Sequence, residues 1–184
     1  FAIVAHADEQ PVMNVTFDKY APTGAEVIGG KIAKIQGENA LVRDKKRNDT
    51  FLDFNGRDDS LLINLSKASE KALAGSFTLE FDFSTVKLPV DDNHHEPGKT
   101  YMEFFNALDK QGKTVMHVTG NLLNRFNIGW MNDQGKHYGF YSAWNHGKNY
   151  EVCGILRHKW YRLSLVYDKP KNKFEFYLDG QLLG

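Results

Sequence analysis

Hydrophobic and polar residues alternate with a period of two over much of the chain. The clearest run covers residues 77–83, where aromatic or aliphatic residues at every second position are separated by Thr78, Glu80 and Asp82. This pattern predicts a β-strand with one buried face and one solvent-facing face. Similar short runs occur at residues 12–17, 50–54, 61–65, 101–105, 114–118, 126–130, 138–141, 160–167 and 173–178.

Turn-forming residues separate these predicted strands. Clusters of Gly, Asn, Asp and Pro occur at residues 55–59, 97–98, 133–135 and 179–180, where they permit the backbone conformations of strand reversals. Residues 160–167 and 173–178, joined by a turn at 169–172, are predicted to form a hairpin. Residues 66–74 are the only convincing helical stretch. Many short strands with little helix predict an all-β sandwich or barrel.

Composition limits the classes of protein to which the chain can belong. Its 184 residues predict one domain, and 41% hydrophobic residues suffice for a core. Lys+Arg 23 balance Asp+Glu 23, so the charge predicts no binding of nucleic acid or of an anionic membrane. No apolar run is long enough for a membrane helix, and we expect no membrane insertion. Cys153 is the only cysteine, which excludes an intramolecular disulfide.

The N-terminus carries a pattern typical of export. Residues 1–7 are apolar except for His6, with small residues at Ala5 and Ala7, like the end of a signal peptide with cleavage after Ala7. This interpretation makes residues 1–7 a signal-peptide remnant and 8–184 the domain. It predicts a secreted, periplasmic or cell-surface protein, and the lack of a disulfide favours a bacterial source. The alternative is that residues 2–5 form a first short strand.

Motifs across nearly the whole chain resemble one superfamily. They are Asp53-Phe54-Asn55-Gly56 before a strand, Ser76-Phe77-Thr78 opening the next, the Trp160-led strand and the closing Asp179-Gly180 turn. In this order they resemble the laminin-G-like and concanavalin A-like lectin and glucanase superfamily. The resemblance implies a two-sheet antiparallel jelly-roll sandwich. It leaves function open, because such folds include lectins, hydrolases and interaction modules.

Such domains usually continue past the Asp-Gly turn with further strands, one of them beside the first strand. The resemblance therefore predicts that this chain is truncated at its C-terminus. We expect an unpaired sheet edge beside residues 12–17 as a consequence.

Acidic residues offer an incomplete catalytic motif. Hydrolases of the superfamily often carry E-x-D-x-x-E on one strand, which places two carboxylates for a retaining mechanism. Glu80 and Asp82 match the first two positions, but Thr85 occupies the third. We therefore expect a non-catalytic domain, although Glu103 and Glu151 could pair with other carboxylates across strands.

Two loops contain residues that can bind metals. Residues 91–96 include two adjacent histidines, which would point apart on an extended segment, so no zinc site is predicted. Residues 55–59 offer oxygen ligands of the kind that calcium prefers. A tight turn explains the same residues without an ion. Calcium is therefore the one candidate ion, and no other cofactor is expected.

Residues 126–150 combine aromatic side chains with amide, imidazole and carboxylate groups. Aromatic rings bury the apolar faces of a sugar, and fixed polar groups bind its hydroxyls. The candidate carbohydrate-binding residues are Trp130, His137, Tyr141, Trp144 and Asn145. Because residues alternate between the two faces of a strand, we expect some of the aromatic rings in this segment to be buried in the hydrophobic core.

The sequence thus favours a secreted, lectin-like, carbohydrate-binding domain that is non-catalytic and part of a larger glycan-active protein. Its expected partner is a glycan or polysaccharide. Two alternatives stay open: a glycoside hydrolase or polysaccharide lyase of the same superfamily, and a structural or protein-interaction module.

Overall fold

The computed structural model describes residues 2–4, 13–17, 26–36, 40–45, 49–54, 59–85, 101–121, 126–131, 134–141 and 158–183. Within these ranges the chain is mostly β-strand, with one short helix. The predicted all-β, sandwich-like architecture is confirmed at this level. No helix in the described ranges is long and apolar enough to cross a membrane.

Fifteen strands and the helix α1 (Lys67–Leu73) follow one another along the described parts of the chain. The strands are β1 (Ala2–Val4), β2 (Met13–Thr16), β3 (Glu26–Ile28), β4 (Gly30–Gln36), β5 (Ala40–Asp44), β6 (Asp49–Asp53), β7 (Ser60–Leu65), β8 (Phe77–Ser84), β9 (Tyr101–Leu108), β10 (Thr114–Asn121), β11 (Phe126–Met131), β12 (His137–Tyr141), β13 (Trp160–Asp168), β14 (Lys173–Leu178) and β15 (Gln181–Leu182).

These strands form two larger and two smaller sheets. The seven-stranded sheet has the order β15-β14-β13-β8-β1-β2-β3, and the four-stranded sheet has the order β12-β11-β10-β9. The pairs β4-β7 and β5-β6 form two-stranded sheets. Neighbouring strands in the four-stranded sheet are antiparallel, as are β1-β2, β2-β3 and both small pairs.

The chain divides into two compact units. The first consists of residues 1–81 and 164–175, and the second of residues 82–163 and 176–184.

The first unit contains strands β1 to β7 and the helix. Ser66 caps the N-terminus of α1, where its side-chain oxygen accepts a hydrogen bond from the Ser69 N–H at 3.2 Å. Ser69 is fully buried, and its hydroxyl donates to the Gly29 carbonyl at 2.7 Å. These bonds fasten the helix to the connection between β3 and β4.

The second unit contains a two-layer aromatic core. Phe126 of the four-stranded sheet contacts Phe83 of β8 and Phe176 of β14, with ring centroids 6.1 Å and 4.9 Å apart. Phe104 on β9 lies 4.8 Å from Phe83, and Tyr161 lies 5.8 Å from it. Aromatic pairs at these distances contribute beyond the area that they bury. One face of the four-stranded sheet is therefore core.

Most of the predicted strands are confirmed. In β8 the burial alternates as the sequence predicts, with Phe77, Leu79, Phe81 and Phe83 buried. The hairpin of β13 and β14 and the helix also agree with the sequence. Strands β3, β4, β5 and β15 were not predicted. In β4 the register shifts between Ile32 and Lys34, which adds one residue and breaks the period of two.

The expected unpaired edge beside residues 12–17 is wrong. Strand β2 is paired on both sides, with Asn14 opposite Ala2 of β1 and Ile28 of β3. Strand β1 lies between β2 and β8, where Ile3 is opposite Leu79. Residues 2–4 thus adopt the strand that was the alternative to a signal peptide.

Candidate functional site

The four-stranded sheet has two faces of different chemistry. Met116, Val118, Phe126 and Ile128 are buried on the core face. The residues that alternate with these buried ones along each strand lie on the opposite face, because successive side chains point to opposite faces of a strand. The opposite face therefore provides a surface that the aromatic core does not use.

This opposite face, called the polar face below, is dominated by hydrogen-bonding groups. In one row Glu103, Thr119, Asn127 and Tyr141 are paired in register across the four strands, and in the next row Asn106, His117, Gly129 and Gly139 are paired. A third pair, Met131 and His137, follows on β11 and β12. The polar face is defined by these ten residues.

A β-bulge brings the β9 residues onto the polar face. Val118 pairs with Phe105 and Thr119 pairs with Glu103, so Phe104 is an additional residue in β9. Phe104 turns into the core, where its ring lies 5.6 Å from that of Phe126. Glu103 and Asn106 consequently share the polar face although they are three residues apart, and the Asn106 side-chain N–H donates to Glu103 Oε1 at 3.3 Å.

Two buried polar atoms on this face have no hydrogen-bond partner in the structure. They are the side-chain oxygen Oδ1 of Asn106 and the hydroxyl Oγ1 of Thr119. An unsatisfied buried group costs about 1–3 kcal/mol, and each such group calls for an explanation, such as a bound ligand or water. The third such atom in the described ranges, Thr85 Oγ1, lies just after β8.

A pair of glycines lies in the middle of the polar face. Gly129 and Gly139 are directly opposite each other on β11 and β12. Neither contributes a side chain to the face, and of the two Gly139 is exposed whereas Gly129 is buried. Glycine within a strand often marks a place where a ligand approaches the backbone closely.

The predicted site residues divide between the two faces. Trp130 lies on the core side and stacks on Tyr138, with ring centroids 5.9 Å apart and planes at 18°. His137 and Tyr141 occupy register positions of the polar face, and their side chains are outside the part of the chain that the structure describes. The register therefore separates Trp130 from these two positions. Trp144 and Asn145 lie outside the described residues.

Sequence reasoning missed Asn106, His117 and Thr119 as candidates. The alternation in β10, where the polar residues His117 and Thr119 follow the apolar Met116 and Val118, could have indicated a polar strand face. Their proximity to Asn127 could not have been predicted, because it depends on the cross-strand register.

The carboxylates of the incomplete catalytic motif have structural partners. In the first unit, Glu80 Oε1 accepts a hydrogen bond from the Ser164 hydroxyl at 2.8 Å. In the second unit, Asp82 forms a two-point ion pair with Arg162, at 2.8 Å and 3.2 Å. Thr85, at the third position of the motif, is buried. Residues 80 and 82 alternate with the buried phenylalanines, so they lie on the side of β8 away from the core.

Among the described residues, no group of three or more His, Cys, Asp or Glu side chains could hold a metal ion. Of the proposed calcium loop only Asp59 is described, and residues 55–58, like the loop at 91–96 and Cys153, lie outside the described ranges. Calcium therefore stays a prediction from the sequence.

Comparison with models of known protein families, with curated proteins and with solved structures gives no match for this chain.

Proposed function

We propose that the chain is a lectin-like carbohydrate-binding domain, non-catalytic by itself, which binds a glycan on the polar face of the four-stranded sheet. The observation that carries this proposal is the pair of buried, unpartnered atoms Asn106 Oδ1 and Thr119 Oγ1 on a face rich in amide, imidazole and hydroxyl groups. Sugar hydroxyls both donate and accept hydrogen bonds, so they are chemically suitable partners for the Asn106 amide oxygen and the Thr119 hydroxyl.

The dimensions of the polar face suit more than one sugar unit. Neighbouring strands lie about 4.8 Å apart, so a row of residues across four strands extends over about 14 Å. The positions from Glu103 to Tyr141 span this length, and the side chains of Glu103, Thr119 and Asn127 supply polar groups along it. Gly139 beside this row is exposed and leaves room for part of a sugar ring. Reversible binding of an oligosaccharide, with weak affinity for a monosaccharide, follows from a shallow site of this kind.

We also propose that the chain belongs to the laminin-G-like and concanavalin A-like superfamily and has a jelly-roll topology. The basis is the set of motifs at residues 53–56, 76–78, 160 and 179–180. The antiparallel sheets and the aromatic core of the second unit support this assignment at the level of architecture.

The partners of Glu80 and Asp82 favour binding over hydrolysis. Retaining glycosidases need two carboxyl groups about 5–5.5 Å apart, one of them available as a nucleophile. Asp82 is engaged by the Arg162 guanidinium, and Glu80 by the Ser164 hydroxyl. A glycoside hydrolase or a lyase is therefore the second candidate and is separated from the first by product analysis.

Export is the final part of the proposal, and it depends on the apolar residues 1–7. Cleavage after Ala7 would remove β1 from the seven-stranded sheet. The mass of the protein recovered from outside its host cells tests this: a chain that begins at Asp8 supports export by this signal, and a retained strand β1 contradicts it.

The experiment for the function itself is a glycan-array screen of the chain, with and without a calcium chelator, followed by chromatography of any bound polysaccharide. We expect retention of an uncut glycan. Shortened products would show that the chain is a hydrolase or lyase. Absence of binding to every glycan on the array would favour a protein-interaction module. Loss of binding with the chelator would make calcium part of the site.

A further inference from the structure

The charges on the polar face are unevenly distributed. Glu103 is exposed and is the only acidic residue among the ten that define this face. None of the ten is Lys or Arg. The ammonium group of Lys136, which precedes β12, lies 5.2 Å from the centroid of the Tyr138 ring, and Tyr138 is in register with Trp130 on the other face.

Acidic glycans need a different arrangement. Proteins bind carboxylate and sulfate groups through Arg and Lys, whose charged hydrogen bonds are roughly twice as strong as neutral ones. A carboxylate on the protein repels such a ligand, and because Glu103 is exposed to solvent this repulsion is largest at low ionic strength. The neutral side chains of Asn106, Thr119 and Asn127 make hydrogen bonds that suit uncharged hydroxyls.

We propose that the polar face selects neutral glycans and rejects uronate-rich or sulfated ones, with Glu103 as the residue that determines this specificity. This inference rests on the proposed function. The preference arises from a repulsive element as well as from attractive contacts, which is how specific sites commonly discriminate between related ligands.

The test uses matched pairs of polysaccharides that share a backbone and differ in charge: the methyl ester of polygalacturonate with polygalacturonate itself, and a glucan with its sulfated form. Binding is measured at pH 8, where an imidazole of ordinary pKa carries no charge. We expect the wild-type chain to bind the neutral member at least about tenfold more tightly than the acidic member. Glu103→Gln should reduce this ratio by about tenfold, because it removes the repulsion and keeps the shape of the side chain.

The control is Glu70→Gln, which changes the net charge equally but lies on the exposed side of α1. It should leave the ratio unchanged. Equal or tighter binding of the acidic members by the wild-type chain would overturn the specificity and leave the carbohydrate-binding function standing. An unchanged ratio in Glu103→Gln would overturn the role of Glu103. Failure to bind any glycan, on these pairs and on the array, would overturn the proposed function itself.

Discussion

Gly129 and Gly139 are paired directly across β11 and β12 on the polar face. Two positions away along the strands, the pair Asn127 and Tyr141 lies on one side of the glycines, and the pair Met131 and His137 lies on the other. The two glycines thus form a strip without side chains between two rows that carry them, and within this strip Gly139 is exposed and Gly129 is buried. Interior glycine weakens a strand and often marks a place where a ligand or another part of the backbone approaches closely.

Gly139→Val should fill this strip. Gly139 is exposed, so the added side chain has room to project from the sheet, and valine favours strand structure. We expect the free energy of unfolding to stay the same or to rise by about 0.5–1 kcal/mol, because glycine loses more backbone entropy on folding. Glycan binding should fall below detection in isothermal titration. A variant that is correctly folded and binds normally would show that the ligand does not approach this strip.

Thr119→Val should separate binding from stability. The hydroxyl of Thr119 is buried without a partner, and its removal relieves an unsatisfied group. We expect stability to be unchanged or higher by about 1 kcal/mol in urea unfolding, and affinity for the glycan to fall about tenfold through the lost hydrogen bond. The matched control is Thr78→Val on β8, which should leave affinity unchanged. Lower stability in Thr119→Val would indicate that the hydroxyl has a structural partner.

Asp82→Asn tests whether the incomplete acidic motif matters. The Arg162 and Asp82 side chains are 61% and 32% exposed. Ion pairs that are exposed to this degree contribute little, so we expect a loss of less than about 1 kcal/mol in unfolding free energy, diminished further by salt. Glycan binding should be unchanged. Release of sugar from a polysaccharide by the wild-type chain, abolished in Asp82→Asn, would identify this carboxylate as catalytic.

Lys171 should control the titration of Asp168. The Lys171 ammonium donates a hydrogen bond to Asp168 Oδ2 at 2.6 Å, and this bond holds the pKa of the carboxyl below its ordinary value of 3.8. Since the Asp168 pKa is lower in the folded chain, the ion pair stabilises the fold fully at pH values above the ordinary pKa of 3.8. This stabilisation is lost as the pH falls through the pKa of the folded chain. Lys171→Met should raise the Asp168 pKa in a carboxyl NMR titration. Lys110→Met, in the β9–β10 turn, should not.

Much of the fold could be predicted because local patterns decide it. The regular alternation in β8 identifies its buried face, and Ser66 marks the start of the helix. Strand β4 was missed because its bulge at Ala33 places Ile32 and Ile35 three residues apart. A single inserted residue is enough to prevent a strand from being predicted by the alternation of hydrophobic and polar residues.

The candidate site was harder to predict than the fold. The aromatic segment at 126–150 includes β11 and β12 of the candidate site, but alternation places Trp130 on the core side and Asn127 on the polar face. Asn106 joins the site only because Phe104 is the extra residue of a bulge. Such relationships depend on pairing between distant parts of the chain, which short-range patterns do not encode.

The most direct test of the central claim is a two-dimensional NMR titration of the isotope-labelled chain with an oligosaccharide selected on the array. If a glycan binds on the polar face, the amide signals of Asn106, Thr119, Asn127 and Gly139 should shift saturably, and that of Thr78 should not change. Saturable shifts confined to β8 and β13, with the polar face unaffected, would contradict binding on the polar face and place the binding site elsewhere.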